Sequence, residues 1–231
     1  MGLNKVKEGS QMYQGWVTHT WNPIKGSCLH NCAYCYMKAM AKRFNKLQPP
    51  AYFDEKELKT NLGSGNFIFV GSSNDIFAKG IPEEWIIKTL DHCHKHQNRY
   101  LFQTKNPNRI VGYMRHPVFS KSVVCTTMES DMYFEEYMGC TPTPLSRSDA
   151  MNKISDFGIT TFVTIEPIIR FLQWEFMMAI KRCNPTQVNI GADSGHNNLP
   201  EPEKEEILQL IAELKKFTVV KQKSNLSRLL K

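Results

Sequence analysis

The run CLHNCAYC, residues 28–35, spaces Cys28, Cys32 and Cys35 as C-x3-C-x2-C and leads into a helix-like stretch, YMKAMAKRF, at 36–44. Three thiolates in so short a run can wrap one iron–sulfur cluster. On a cubane [4Fe–4S] cluster they leave one iron without a protein ligand. An iron with an open position can bind and activate a small molecule, whereas a fully ligated cluster can only pass electrons. Structural zinc fits less well. It wants a fourth Cys or His at similar short spacing, and although His30 and His19 lie nearby, no second C-x2-C pair follows. A ferredoxin-type run would be C-x2-C-x2-C with a later Cys-Pro, and neither is present. Seven cysteines is an odd count and 231 residues can bury a core unaided, so a disulfide framework is disfavoured. Cys93, Cys125, Cys140 and Cys183 are scattered singly, as small apolar residues are.

Working outward, short apolar runs rich in Val, Ile, Phe and Thr recur at 15–20, 66–73, 99–105, 122–128, 160–167, 187–193 and 217–222. They are apolar along their length rather than alternating, the pattern of strands covered on both faces. Helix candidates lie between them, at Cys32–Leu47, from Pro82 to about 97, from Asn106 to about His116, at Ser146–Phe157 and Leu172–Cys183, and from Pro202 to Phe217. Pro82 is followed by Glu83 and Glu84 at the positive end of the helix dipole, and the last helix runs from acidic to basic. Strands alternating with helices predict right-handed β-α-β units and an α/β fold with a parallel sheet. The chain reads as a single domain over 1–231, with an N-terminal extension at 1–13 and a basic tail at 223–231.

Ligands of parallel α/β folds collect at the carboxyl ends of the strands. Those ends are polar here: Ser72, Ser73, Asn74 and Asp75; Thr104 and Lys105; Thr126 and Thr127; Glu166 before Pro167; Asp193, Ser194 and His196; Lys221 and Gln222. Composition bounds the rest. The chain carries 29 Lys and Arg against 22 Asp and Glu, a net +7, which favours a polyanionic partner such as nucleic acid. Basic residues concentrate in Lys38–Lys46, Lys88–Lys121 and Lys215–Lys231. No apolar run reaches the roughly 18 residues of a membrane span, and the first fifteen residues lack a signal-peptide core, so a cytoplasmic location is expected.

The cysteine loop, with aromatic Tyr34 before the last cysteine, resembles the cluster loop of the radical S-adenosylmethionine (SAM) superfamily. The wider chain, from about Gln14 to Gln222, resembles a narrower three-Cys-motif group of small phage- and prophage-associated proteins. TWNP at 20–23, FVGSSNDIF at 69–77, TKNP at 104–107, IEP at 165–167 and GADSG at 191–195 match in that order. In the last motif Ala192 and Asp193 replace the group's Gly and Glu, keeping a carboxylate one methylene shorter. The resemblance implies a partial (β/α)6 barrel with a [4Fe–4S] cluster on Cys28, Cys32 and Cys35 and SAM on the fourth iron. It places Ser72, Ser73, Asn74 and Asp75 near the SAM amino group, with Asp75 the best acceptor. It makes Tyr34 an adenine contact and Thr127 and Glu166 ribose or methionine contacts, with Asp193 at a further strand end. An external one-electron donor of flavodoxin or ferredoxin type would reduce the cluster, and SAM would yield a 5′-deoxyadenosyl radical that abstracts hydrogen from substrate.

Three functions remain open on the sequence. The substrate is a nucleic-acid base or nucleotide; it is a peptide or protein partner, including a glycyl-radical enzyme to be activated; or the protein is a non-enzymatic iron–sulfur protein that binds nucleic acid or senses redox state. The stretch 129–145 is longer than a usual strand–helix connection and carries Met132, Tyr133, Phe134, Tyr137 and Met138. It is expected to be a lid, with Cys140 as a candidate catalytic hydrogen donor, or else a short helix packed elsewhere with an inert thiol.

Overall fold

In a computed structural model of the 231-residue chain, residues 3–7 and 16–231 are described. Gly15 of the first expected strand, Gln14 of the family match, and residues 1–2 and 8–13 of the expected extension lie outside them.

All seven apolar runs contain a strand. In chain order these are β2 (His19–Trp21), β5 (Phe67–Val70), β6 (Arg99–Thr104), β7 (Ser122–Thr127), β8 (Thr160–Ile165), β9 (Gln187–Ile190) and β10 (Val219–Gln222). They form one parallel sheet in that order. The sequence did not announce β1 (Asn4–Lys5), which pairs antiparallel at the outer edge of β2. A separate antiparallel pair, β3 (Ile24–Lys25) and β4 (Tyr52–Phe53), frames the cysteine loop. The sheet does not close among the described residues: β1 stands at one edge and β10 at the other. The architecture is the expected α/β fold with an open, partial barrel.

Alternation along the strands sorts side chains into two layers. Ile68, Val70, Tyr100, Phe102, Val124, Val163, Val188 and Ile190 pack in the main core with helix residues such as Ile86, Leu90, Met151, Ile154, Phe176, Ile180, Ile207 and Leu210. Their neighbours Phe67, Phe69, Leu101, Val123 and Cys125 form a second cluster with Val17 and, at its edge, Trp16 and Phe162. Both faces are therefore covered, which explains the unbroken apolar runs. Further along the strands this second face turns polar, at Gln103, Lys105, Thr127 and Glu166, and the cavity described below opens there.

The covering helices are α2 (Glu83–His94), α3 (Asn108–Val111), α5 (Pro144–Asp156), α6 (Gln173–Arg182) and α7 (Lys204–Leu214). Thr143 caps α5 by accepting from the Ser146 N–H at 3.3 Å, with Pro144 at the first helical position. Glu203 and Glu206 form a reciprocal capping box at α7. The helix after the cysteines, α1 (Tyr36–Arg43), is shorter than expected and buries none of its residues. The last residues are no free tail. Ser224–Leu229 form a 3-10 helix with Leu226 buried.

Candidate active site

A cavity of about 590 Å³ sits at the carboxyl ends of the parallel strands. Its wall takes in Cys28, Cys32 and Cys35 together with residues at the ends of β5 through β9. Of the residues singled out on the sequence, Tyr34, Ser72, Ser73, Asn74, Asp75, Thr127, Glu166 and Asp193 all line it. No group of three His, Cys, Asp or Glu side chains among the described residues converges on a single-ion site. Burial pushes the Cys28 thiol up to about 11, helped by the Asp75 charge, and raises Cys32 as well.

The cysteine loop is pinned from both sides. From the β5 side, Gly71 turns the chain at φ +77°, where an added Cβ would stand 2.7 Å from the Asn74 carbonyl oxygen. The turn brings Asn22 Oδ1 within reach of the Ser72 hydroxyl (3.1 Å) and the Ser73 N–H (2.9 Å). It also aims Asp75 at buried His30, whose Nε2 donates to Oδ2 at 2.8 Å. The same oxygen accepts from Thr104 Oγ1 (3.0 Å) and the Lys105 N–H (2.8 Å), and Oδ1 accepts from the Phe77 N–H (2.9 Å). Burial alone would raise the Asp75 carboxyl, but His30 and these backbone donors hold it below the usual range. A carboxylate offers about four lone-pair sites, and this one already accepts four bonds. Asp75 is thus a knot tying the cysteine loop to β6. Three of those bonds fall on Oδ2 and one on Oδ1, so Oδ1 keeps room for one further donor. Buried acceptors do remain open: Asn74 Oδ1 and Gln103 Oε1 have no partner, and both residues line the cavity.

From the other side the loop rests on residues 129–140. The segment is no lid. Its short helix α4 (Glu135–Met138) packs against the loop: Tyr137 O accepts from the Ala33 N–H at 2.9 Å, and Met138 O lies 3.2 Å from Cys32 Sγ. Gly139, at φ +64°, lies so close to the His30 carbonyl that no Cβ fits. Phe134 and Met138 are buried with Ile169 and Leu199, and Tyr34 packs on them. Cys140 is exposed and outside the cavity wall, held by its N–H to the His30 carbonyl at 2.8 Å. A hydrogen donor must face the reacting carbon, and this placement lends the catalytic assignment of Cys140 no support.

Beneath the loop lies a charge network that the sequence did not reveal. Glu129 is fully buried between Arg147 Nη1 at 2.6 Å and Lys105 Nζ at 3.1 Å, and it accepts from the Tyr34 hydroxyl. Burial would push its pKa up, but Arg147 and Lys105 hold it well below the usual carboxylate range. Arg147, also fully buried, donates further to Pro142 O (2.7 Å), Thr127 O (2.8 Å) and Thr141 Oγ1 (2.7 Å). The Lys105 ammonium stands 5.3 Å from the centre of the Tyr34 ring. Burial opposes its charge, but Glu129 outweighs that and leaves its pKa raised.

On the far strands, Glu166 pairs with Lys223 and accepts from Asn225 Nδ2 at 3.1 Å. The Thr127 hydroxyl accepts from Gln103 Nε2 at 3.3 Å. Asp193 turns its carboxylate onto its own loop, accepting from the Gly195 N–H (3.0 Å) and Asn197 Nδ2 (2.8 Å). Lys223, expected only as part of a tail, belongs to the cavity wall.

One family, described as "Protein of unknown function (DUF5131)", matches residues 13–204. The chain belongs to that family. No curated protein matches it in sequence. Among solved structures, a mutant of spore photoproduct lyase is similar at 12% identity and a TM-score of 0.65, over 96% of this chain and 80% of that one. A mutant of the same lyase with dinucleoside spore photoproduct follows at 13% identity and 0.64, over 96% and 80%. Another, with bound AdoMet and dinucleoside spore photoproduct, is similar at 13% and 0.57, over 94% and 66%. At such identities the likeness is one of fold alone. The family match ends at residue 204, short of Gln222, and its description names no phage-associated group.

Proposed function

We propose that this family member is a radical SAM enzyme acting on a nucleic-acid base or nucleotide, with Cys28, Cys32 and Cys35 holding a [4Fe–4S] cluster. The observation that carries the reading is that all three cysteines line one strand-end cavity, whose lining also includes two residues with a buried, unpaired acceptor. The donor set fits the group: three soft sulfur ligands, with no fourth Cys among the cavity residues. When bound, the cluster supplies the electron that cleaves SAM to methionine and a 5′-deoxyadenosyl radical, which takes hydrogen from substrate.

The chain's own residues bind and position. Asn74 Oδ1 and Gln103 Oε1 are free to accept N–H groups, suiting the ammonium and the adenine amine of SAM. Thr127 orients Gln103, and Tyr34, clamped by Glu129 and capped by Lys105, offers a fixed ring beside the third cysteine. Glu166 with Lys223, and Asp193 beyond, complete the wall at which ribose and carboxylate would lie. Asp75 with His30 holds the cysteine loop in register with β6. The net +7 favours a nucleic-acid substrate over an uncharged one, and the structurally similar lyase has been seen with a dinucleoside. The test is anaerobic reconstitution with iron and sulfide, followed by dithionite and SAM. Formation of 5′-deoxyadenosine supports the reading; a loaded cluster that leaves SAM intact counts against it.

A further inference from the structure

Helix α1 contributes nothing to the core, yet it starts at the third cysteine and borders the cavity through Tyr36, Met37 and Lys38. A helix that buries no residue gains little from packing, so its composition answers to something else. Tyr36, Met40 and Phe44 recur at four-residue steps and share one face, with exposures of 49%, 46% and 59%. Leu47, just beyond, is 99% exposed. Interleaved with these are Lys38, Lys42, Arg43 and Lys46, and the chain runs from Gly9 to Phe53 without one Asp or Glu. The Arg43 guanidinium lies 5.8 Å from the centre of the Phe44 ring. A protein partner or a lipid surface would account for the apolar stripe. Aromatic rings alternating with unopposed cations, leading into a cavity, are instead the make-up of a single-strand stacking platform.

We propose that α1 and its flanks are a docking track for single-stranded nucleic acid, leading the target base into the cavity. This rests on the proposed function and names how that substrate is held. Lys42, Arg43 and Lys46 take the phosphates, Phe44 stacks a base, and Tyr36 with Lys38 marks the step from track to cavity. From Tyr36 to Phe44 the track is about 12 Å long at 1.5 Å per residue, room for about three nucleotides at 3.4 Å each. α4, which packs on the cysteine loop through Tyr137, carries exposed Glu135 and Glu136, so the track does not extend over it.

The test is fluorescence anisotropy of the cluster-loaded protein with labelled 12-mers of thymidine and of uridine, a matching duplex, and a poly-glutamate peptide. Three phosphate contacts give a slope of log K against log salt of about −2.1, and Lys42→Ala with Arg43→Ala brings it to about −0.7. Phe44→Ala weakens single-strand binding by about 5- to 150-fold at constant slope. None of these side chains lines the cavity, so 5′-deoxyadenosine formed without substrate stays at the wild-type level in each variant. The proposal is overturned if the oligomers do not bind, if the substitutions leave affinity and slope unchanged, or if duplex or poly-glutamate binds as well as the single strands. Because binding is read without turnover, failure of the track is separate from failure of SAM cleavage.

Discussion

Replacing Arg147 with methionine removes the central cation of the network beneath the cysteine loop while roughly keeping the side chain's length. Arg147 and Glu129 are both 0% exposed, and the guanidinium bonds Glu129 Oε2, Pro142 O, Thr127 O and Thr141 Oγ1 at 2.6–2.8 Å. After the substitution Glu129 keeps only Lys105 and Tyr34, and two carbonyls lose a buried donor. Breaking a buried pair from one side costs about 3–5 kcal/mol; here Glu129 still faces Lys105, and the cost comes from the lost charge-assisted bonds and the buried acceptors left without a donor. For a chain of this size that is a fall in melting temperature of about 6–20 °C. The pH dependence has a defined sign. The Glu129 pKa is lowered in the fold, so its contribution is full above the unfolded value near 4.5 and is lost as pH falls through the depressed folded value. Arg147→Met therefore loses stability most at neutral pH and differs least from wild type in acid. Urea unfolding between pH 3 and 8 reads this directly, and pairing Arg147→Met with Glu129→Gln in a double-mutant cycle isolates the coupling. A loss below about 1 kcal/mol at pH 7, or a double mutant equal to the sum of the singles, would refute the reasoning.

Three further outcomes follow from the same geometry. Asp75→Asn lowers thermal stability with no SAM present, by about 1–3 kcal/mol, because it unmakes the knot with His30; a loss confined to SAM affinity would make Asp75 a ligand residue instead. Gly139→Ala destabilises by more than about 1 kcal/mol and lowers iron uptake on reconstitution, since an added Cβ meets the His30 carbonyl; unchanged iron content and melting would show the contact to be slack. Cys140→Ser leaves both SAM cleavage and product yield unchanged, and loss of product with 5′-deoxyadenosine retained would mark it as a hydrogen donor.

The strands were legible because parallel strands covered on both faces must be apolar throughout, and β5 and β7 are buried at every position. The cavity was legible for the complementary reason: polar residues at the ends of such strands have few places to go but a shared rim. Glu129 was not. An acid beside Ser130 and Asp131 reads as a solvated loop residue, and its partners Tyr34, Lys105 and Arg147 are remote in sequence and meet it only when the cysteine loop folds onto α5 and β6. The structural part of Asp75 was not legible, because sequence does not show that His30, Thr104 and two backbone N–H groups bond its carboxylate. The length and aromatic content of 129–145 read as a lid because sequence does not show that they brace the loop from the side. The edge strand β1 is two exposed residues long and leaves no periodicity to detect.

The central claim is that three cysteines hold a cluster with one iron open to SAM. Mössbauer spectroscopy of the anaerobically reconstituted protein, recorded with and without SAM, tests it most directly. The account predicts one [4Fe–4S] cluster per chain in which a single iron site changes on adding SAM, with the signal lost in Cys28→Ala, Cys32→Ala and Cys35→Ala. A cluster whose four irons are all indifferent to SAM, or zinc bound in its place at full stoichiometry, would contradict it.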